Sequence, residues 1–419
     1  MSRYLQILRR RAAFWPFAAA VVNRLPIAMG PLGIVLLVQS VRGSYSIAGV
    51  VTAAWALSSS VATPLLGRAL DRLGQPLVIG TASVVSGTLI AVFAVSAVEG
   101  APDAVLIALS AGAGMTFPPT SPAMRAAWRV VLDRDEERQA AYALDAVAIE
   151  TIFVGGPLLL SLLLVVAPPV VPLLVTAAFL AGGGLAYAAT PAARAVRPEP
   201  HHRGEGHRSA SPLRSRGVLA VLLVTVGLSV GFGLCDVSIA ATAREVLESQ
   251  AKVGLLFAAI AGGSATGGLW YGARAWRRPD RQRYPVTLSG FATGIAVTAA
   301  LLYTLGTPPL LVLLPVMFVT GLFIAPGLIV AQNLVDHLAP RDRLSEAQAW
   351  LNTAFTSGGA LGTAVAGVLV DAGGPARSFT GAAIAIACAA LGAVLVQSRW
   401  RTASERRDDG PDAARPLAA

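Results

Sequence analysis

The stretch from Gly67 to Gly74 reads GRALDRLG and lies between two apolar segments, 46–67 and 76–98. Each segment is long enough to cross a hydrocarbon core of about 30 Å as a single helix. The two glycines permit a tight turn and a close approach of neighbouring helices. The pattern therefore predicts two transmembrane helices joined by a short charged loop.

The composition extends this interpretation to the whole chain. Of its 419 residues, 55% are hydrophobic and only 13% are charged, and the mean hydropathy is +0.64. A soluble protein of this length needs more charge to cover its surface, since about 25% is usual. Disorder is also excluded, because it requires low hydrophobicity. The chain is predicted to be an all-α integral membrane protein.

Apolar segments separated by polar breaks predict twelve transmembrane helices. The first six are 13–38, 46–67, 76–98, 103–125, 140–166 and 170–191. The second six are 217–240, 252–273, 285–305, 308–333, 347–370 and 378–398. An even number of spans places both termini on the same side of the membrane.

The basic residues predict which side that is. With the N-terminus inside, the Lys and Arg residues that fall elsewhere are Arg24, Arg42, Arg244, Lys252 and Arg377, out of 33 in the chain. Such an excess marks the cytoplasmic side. We expect a multi-pass protein of the cytoplasmic membrane with both termini in the cytoplasm. The net charge of +10 is then an orientation signal, and no nucleic-acid partner is expected.

The chain divides into two halves. We predict an N-terminal six-helix bundle at 1–191, a cytoplasmic linker at 192–216, a C-terminal bundle at 217–398 and a disordered tail at 399–419. At one constant offset the halves share several residues. These pairs are Gly114 with Gly321, Pro119 with Pro326, Leu144-Asp145 with Leu351-Asn352, and Gly155 with Gly362. Parallel repeats of this kind are typical of transporters, whose site lies between the halves near the midplane.

The stretch 67–74 closely resembles the loop motif of the major facilitator superfamily, Gly-x3-Asp-Arg/Lys-x-Gly. It departs at Gln75-Pro76, where basic residues are usual, and its counterpart at 272–278 lacks the Asp. The resemblance implies two pseudo-symmetric six-helix bundles that work by alternating access. We expect Gly67, Asp71, Arg72 and Gly74 to act as a conformational clasp. Asp71 would face the positive N-terminus of span eleven near Ala347 and hold the cytoplasmic side shut.

A second resemblance concerns span five. The residues Gly155, Gly156 and Pro157 are similar to an antiporter motif of the same superfamily, although the following Gly pair is missing. This favours efflux by antiport. From the residues themselves, we expect a kinked helix and close packing, with substrate contact the less favoured role.

Ionisable residues inside a span cost about 2.5–3.5 kcal/mol each at the helix centre and therefore need a reason. Four are assigned here to substrate or proton coupling: Arg24, Asp145, Glu150 and Asp236. Arg24 and Glu150 have similar predicted depths, and the resemblance makes helices one and five neighbours. We predict that these two residues form an ion pair, either permanent or released by a proton taken up by Glu150 or Asp145. Asp236 is a cavity cation site, an outer-gate residue or an interface residue.

Prolines predict further conformational positions. Pro118 and Pro119 in span four and Pro326 in span ten interrupt the helical hydrogen bonding. The resemblance implies that these helices line the cavity, where a break can bend during closure.

Other function classes lack support. No nucleotide-binding Gly loop, metal cluster or nucleophile with a base is evident, so no enzymatic activity and no metal are expected. His201, His202 and His207 are assigned to a solvated linker. We expect a monomer in contact with membrane lipid that exports a small organic molecule, without a cofactor and energised by the proton gradient. A uniporter or symporter of sugars or metabolites is the nearest alternative, and a non-transporting sensor is less favoured.

Overall fold

A computed structural model describes residues 2–132, 134–196, 212–274, 276–340 and 343–400, and the regular elements in these residues are helices. The helices of the first half are α1 (Ser2–Arg9), α2 (Arg11–Arg24), α3 (Pro26–Arg42), α4 (Tyr45–Leu73), α5 (Gln75–Val98), α6 (Asp103–Met115), α7 (Thr120–Val131), α8 (Asp135–Val166), α9 (Val170–Ala188) and α10 (Pro191–Ala195). Those of the second half are α11 (Arg216–Ala241), α12 (Val253–Gly272), α13 (Asp280–Leu305), α14 (Leu310–Gly321), α15 (Ile324–Leu338) and α16 (Leu344–Val396).

These helices form twelve spans. Ten helical segments in the described residues are long and apolar enough to cross a membrane. One of them, α16, contains two spans, because Gly373 and Gly374 leave the helical conformation and Gly374 adopts a φ of 72°. Span four is divided into α6 and α7, each too short to cross alone. The predicted number of spans is therefore confirmed.

The chain reverses direction at the glycine pair in α16. Beyond it, Gly381 packs against Leu369, and the Trp400 indole donates a hydrogen bond to the Gly217 carbonyl over 3.1 Å. Trp400 is buried and thus returns to the level where α11 begins, so the tail predicted to be disordered from residue 399 is ordered at 399–400. The rest of that tail and the linker histidines His201, His202 and His207 lie outside the described residues. We call the side that carries α1 and Trp400 the terminus side, and the side that carries Gly374 the far side.

The two halves meet at the far side. The first turns of α4 pack on α16, where a Cβ at Gly49 would lie 2.5 Å from the Thr363 carbonyl oxygen. The end of α8 packs on the start of α12, where the Gly254 amide donates to the Ser161 hydroxyl over 2.6 Å. Towards the terminus side, α4 instead exposes large apolar residues: Leu57, Val61, Leu65 and Leu73. The described contacts between the halves thus lie at the far side, which is closed, and we interpret the halves as separated towards the terminus side.

Glycines bring helices together within each half. A Cβ at Gly263 or Gly267 of α12 would collide with backbone carbonyls of span ten, and one at Gly358 or Gly362 would collide with α11. Gly67 is different, because a Cβ there would meet nothing within 4 Å. The expected close approach at Gly67 is therefore wrong for this conformation. Gly67 also lies within α4, so that the turn expected across 67–74 is confined to Gly74, whose φ is 84°.

Candidate translocation site

The intramembrane arginine pairs with the shallower of the two carboxylates on α8. Arg24 Nη2 lies 2.8 Å from Asp145 Oδ1, and the two side chains are 1% and 5% exposed. Arg24 Nε also donates to the Ala20 carbonyl over 3.0 Å. The predicted ion pair between Arg24 and Glu150 is therefore wrong, since the partner is Asp145.

Helix geometry explains why Arg24 pairs with Asp145 and not with Glu150. Residues five positions apart on a helix differ by about 140° around its axis, so Asp145 and Glu150 occupy different faces of α8. The Asp145 face continues to Gly156, whose missing Cβ would lie 2.8 Å from the Ala28 Cβ of α3. In addition, helical side chains lean towards the N-terminus, which brings the long Arg24 side chain down to the level of Asp145. Depth along the helix axis therefore does not decide which carboxylate meets Arg24.

A buried polar network adjoins the ion pair within the first half. Asn23 donates to the Ser83 hydroxyl over 3.1 Å and to the Leu180 carbonyl over 2.7 Å, and its side-chain oxygen accepts from Thr120. These bonds tie span one to spans three, four and six. Asn23 is a site residue that the sequence analysis does not identify. The available signal is an amide directly before an intramembrane arginine in an apolar segment.

Two further polar residues form a separate pair of hydrogen bonds in the same half. The Tyr187 hydroxyl donates to Gln75 Oε1 over 2.9 Å, and Gln75 Nε2 donates to the Ala123 carbonyl over 3.0 Å. All three residues are buried. Gln75 is the residue that departs from the loop motif at its end, and the structure gives it a packing role at the start of α5.

The ion pair itself is incompletely satisfied. Among the described residues, both terminal nitrogens of Arg24 and the contacting oxygen of Asp145 lack a partner with hydrogen-bond geometry. The 2.8 Å contact is therefore a contact of charges rather than an aligned hydrogen bond. Buried charges with poor hydrogen bonding are costly, so the loss of either partner would leave an unpaired charge between α2 and α8.

Glu150 faces the second half of the molecule. It shares its face of α8 with Pro157 and Ser161, which lie seven and eleven residues further on, close to whole numbers of helical turns. At the far side, these two residues contact Gly254 of α12. Glu150 lies closer to the terminus side, where the halves separate, and it is exposed. The structure therefore brings Glu150 to the gap between the halves and not to Arg24.

Asp236 lies in the second half, about 30 Å along α11 from Arg216 by helical rise. It is exposed, although Cys235 and Val237 on either side are buried. Three residues earlier, Gly233 packs against the backbone of α16 at Gly359. The structure does not join Asp236 to Arg24, Asp145 or Glu150 through any contact among the described residues.

A carboxylate that was not singled out in the sequence joins the halves at the far side. Asp371 accepts hydrogen bonds from the backbone amides of Tyr45 and Ser46, both over 2.8 Å. It also accepts from the hydroxyls of Ser44 over 2.8 Å and Ser46 over 2.6 Å. Asp371 thus caps the N-terminus of α4 from the opposite half, where a negative charge is favoured by the helix dipole. The acceptor and its donors lie more than 300 residues apart, so no local pattern could reveal them.

Comparison with known proteins identifies the family to which this architecture belongs. The sequence model of the Major Facilitator Superfamily matches residues 16–313 and 237–419. The chain belongs to the major facilitator superfamily. It is accordingly a membrane transporter and not an enzyme, as predicted.

Several solved transporters share this superfamily fold. The nucleoside transporter NupG has a TM-score of 0.72 at 12% identity, covering 94% of this chain and 100% of its own. The peptide transporter POT has a TM-score of 0.69 at 14% identity, covering 92% and 94%. A bacterial homologue of the iron transporter ferroportin, in an inward-facing state, has a TM-score of 0.67 at 15% identity, covering 92% and 98%. These likenesses concern the fold alone, and no match was found among curated proteins.

Within this superfamily fold, the motif loop between spans two and three lies at the terminus side. Asp71 and Arg72 are exposed, and Gly74 makes the turn. The clasp expected between Asp71 and the start of span eleven stays a prediction.

Spans four and ten are interrupted near their prolines, as predicted. Span four breaks at Thr116–Pro119, which includes Pro118 and Pro119, and span ten breaks at Leu322–Phe323, just before Pro326. The breaks occupy corresponding places in the two halves. Pro157 instead lies in the uninterrupted helix α8, and Gly155 has open space where a Cβ would be. Close packing in the antiporter-like stretch is thus due to Gly156 on the α3 side and to Pro157 on the α12 side.

Proposed function

We propose that this transporter exports a small organic molecule from the cytoplasm in exchange for protons, by alternating access. The observation that carries the proposal is the closed far side combined with halves that separate towards the terminus side. The basic residues favour the terminus side as the cytoplasmic one. With that orientation, the conformation is the inward-open state, ready to receive a substrate from the cytoplasm.

The proposed proton coupling depends on the carboxylates of Glu150 and Asp145. Glu150 faces the gap between the halves and lacks a partner among the described residues, so that it is accessible to protons and to a cationic substrate. Asp145 is buried against Arg24, and its protonation would remove the attraction that holds α2 to α8. A proton on either group therefore biases one access state over the other, which is what coupling requires.

The experiment is transport in proteoliposomes across a panel of organic compounds, with and without an imposed pH gradient. Wild-type protein should move at least one compound against its own gradient when protons flow the other way. Glu150→Gln should keep downhill exchange and lose the gradient-driven component. Glu99→Gln is the matched control, since this exposed glutamate ends α5 at the far side, outside the gap.

The outcomes separate the alternatives. Transport that ignores the pH gradient would establish a uniporter, and movement of substrate with the protons would establish a symporter. Full coupling in both Glu150→Gln and Asp145→Asn would refute the assigned carboxylates. Absence of movement for every compound would refute the transport proposal and favour a sensor.

A further inference from the structure

A groove runs along the outer surface of the second half, between α11 and the second span of α16. Its volume is about 620 Å³. Small residues form its floor, among them Gly227, Ala389 and Gly392, and Leu219 and Leu223 form one wall. Leu223 is 64% exposed, as expected for a side chain that faces lipid. All of these residues belong to the second half, so the groove is separate from the gap between the halves.

Two arginines lie together at the terminus-side end of the groove. Arg216 begins α11, and Arg399 follows the end of α16. The hydrogen bond from Trp400 to the Gly217 carbonyl fixes the two chain segments against each other. Both arginines are exposed, and neither has a hydrogen-bond or ion-pair partner in the part of the chain that the structure describes. Within the described residues, this end of the groove therefore carries two uncompensated positive charges.

The depth of the groove matches one leaflet of a bilayer. From Arg216 to Gly227 the helix rises by about 16 Å. Half of a hydrocarbon core of about 30 Å is about 15 Å. A molecule with its anionic group at the arginines would therefore extend an apolar chain to the middle of the membrane.

We propose that this groove is a binding site for an anionic phospholipid of the terminus-side leaflet. The phosphate contacts Arg216 and Arg399, and an acyl chain lies over Gly227, Ala389 and Gly392. Each basic residue at the membrane surface attracts anionic lipid by an amount equivalent to about a five-fold change in affinity. A soluble anion would leave the apolar length of the groove unfilled, which is why the lipid is the favoured occupant. The site adds a lipid ligand to a protein whose transport pathway lies elsewhere.

The protein contains its own reporter for this site. Cys388 is exposed and lines the groove, whereas Cys235 is buried in α11. The rate at which N-ethylmaleimide alkylates Cys388 is measured by intact mass in detergent micelles. Phosphatidylglycerol, phosphatidylcholine or glycerol phosphate is titrated into the purified full chain.

Phosphatidylglycerol should slow the alkylation of Cys388 at concentrations where phosphatidylcholine does not. The double variant Arg216→Ala/Arg399→Ala should need about thirty-fold more phosphatidylglycerol for the same protection. Its matched control is Arg194→Ala/Arg214→Ala, which removes two exposed arginines from the same side but outside the groove and should behave as wild type.

Three results would overturn the proposal. Equal protection by phosphatidylglycerol and phosphatidylcholine in wild-type protein would show that the arginines do not distinguish an anionic headgroup from a zwitterionic one. Equal protection by glycerol phosphate would show a soluble-anion site. Protection that rises with protein concentration in the absence of lipid would show that a second copy of the chain covers the groove.

Discussion

Replacing Asp371 by asparagine should open the far side of the transporter. In the structure, this carboxylate accepts four hydrogen bonds from residues 44–46 and so joins α16 to the N-terminus of α4. Asparagine has nearly the same shape but no charge and a single acceptor oxygen. Three of the four bonds go to Oδ2 and one to Oδ1, so at least one bond is lost, and the favourable interaction with the helix dipole is lost with it.

The magnitude follows from the exposure of the contact. A hydrogen bond to a charged group contributes about 1.5–3 kcal/mol, and a charge at a helix N-terminus about 0.3–1 kcal/mol. Because Asp371 is exposed and its donors Ser44 and Ser46 are only half-buried, the lower ends of these ranges apply. We expect a loss of about 2 kcal/mol from the conformation closed at the far side, which shifts its population ratio about thirty-fold.

Distances between spin labels measure this shift directly. The labels are placed at Glu99 of the first half and Thr307 of the second, two exposed far-side positions, after both native cysteines have been replaced. Asp371→Asn should move the distance distribution towards longer values. Asp103→Asn is the matched control, because it breaks the 3.0 Å ion pair with Arg42 at the far side but within the first half.

Two results would refute this reasoning. An unchanged distribution in Asp371→Asn would show that the glycine contacts alone hold the far side closed. An equal shift in Asp103→Asn would show that loss of any far-side charge loosens the protein. In either case, Asp371 would not be the element that joins the halves.

Other perturbations test the interior and the interface between the halves. Arg24→Leu should lower stability by about 3–5 kcal/mol by leaving Asp145 buried and unpaired, whereas Arg24→Leu/Asp145→Leu should recover most of that loss, as read from thermal unfolding in detergent. Failure of the double variant to recover would contradict a simple charge pair. Gly254→Ala should weaken far-side closure, because its Cβ would lie 2.5 Å from the Pro157 carbonyl, and the same labels should report longer distances. Gly67→Ala, which meets no neighbour within 4 Å, should leave distances and stability unchanged or raise stability by up to about 1 kcal/mol.

The spans and their repeat were predictable because their causes are local. Each apolar segment must satisfy its own backbone in lipid, so length and hydropathy identify it without knowledge of its neighbours. The paired breaks before Pro326 and around Pro119 were predictable for the same reason, since proline disrupts the helix in which it lies.

The candidate site was predictable only as a set of residues. Arg24, Asp145, Glu150 and Asp236 were identified because charge is costly in the membrane, and that cost is a property of each residue alone. Their pairing depends on the rotation of α8 about its axis and on the direction in which Arg24 leans. A rotation of about 140° separates Asp145 from Glu150, and depth along the sequence contains no information about rotation.

The amino-acid sequence alone determined a twelve-helix membrane protein, because hydropathy, charge and proline act over one span at a time. The repeat and the resemblance of residues 67–74 to the superfamily motif indicated a transporter. Tertiary structure decided which carboxylate meets Arg24, which glycines bring helices together and where the halves touch. It also decided the role of Asp371, whose partners at the start of α4 lie in the other half. Such contacts depend on the relative placement of the two bundles. This placement changes during transport, and no single segment of the sequence determines it.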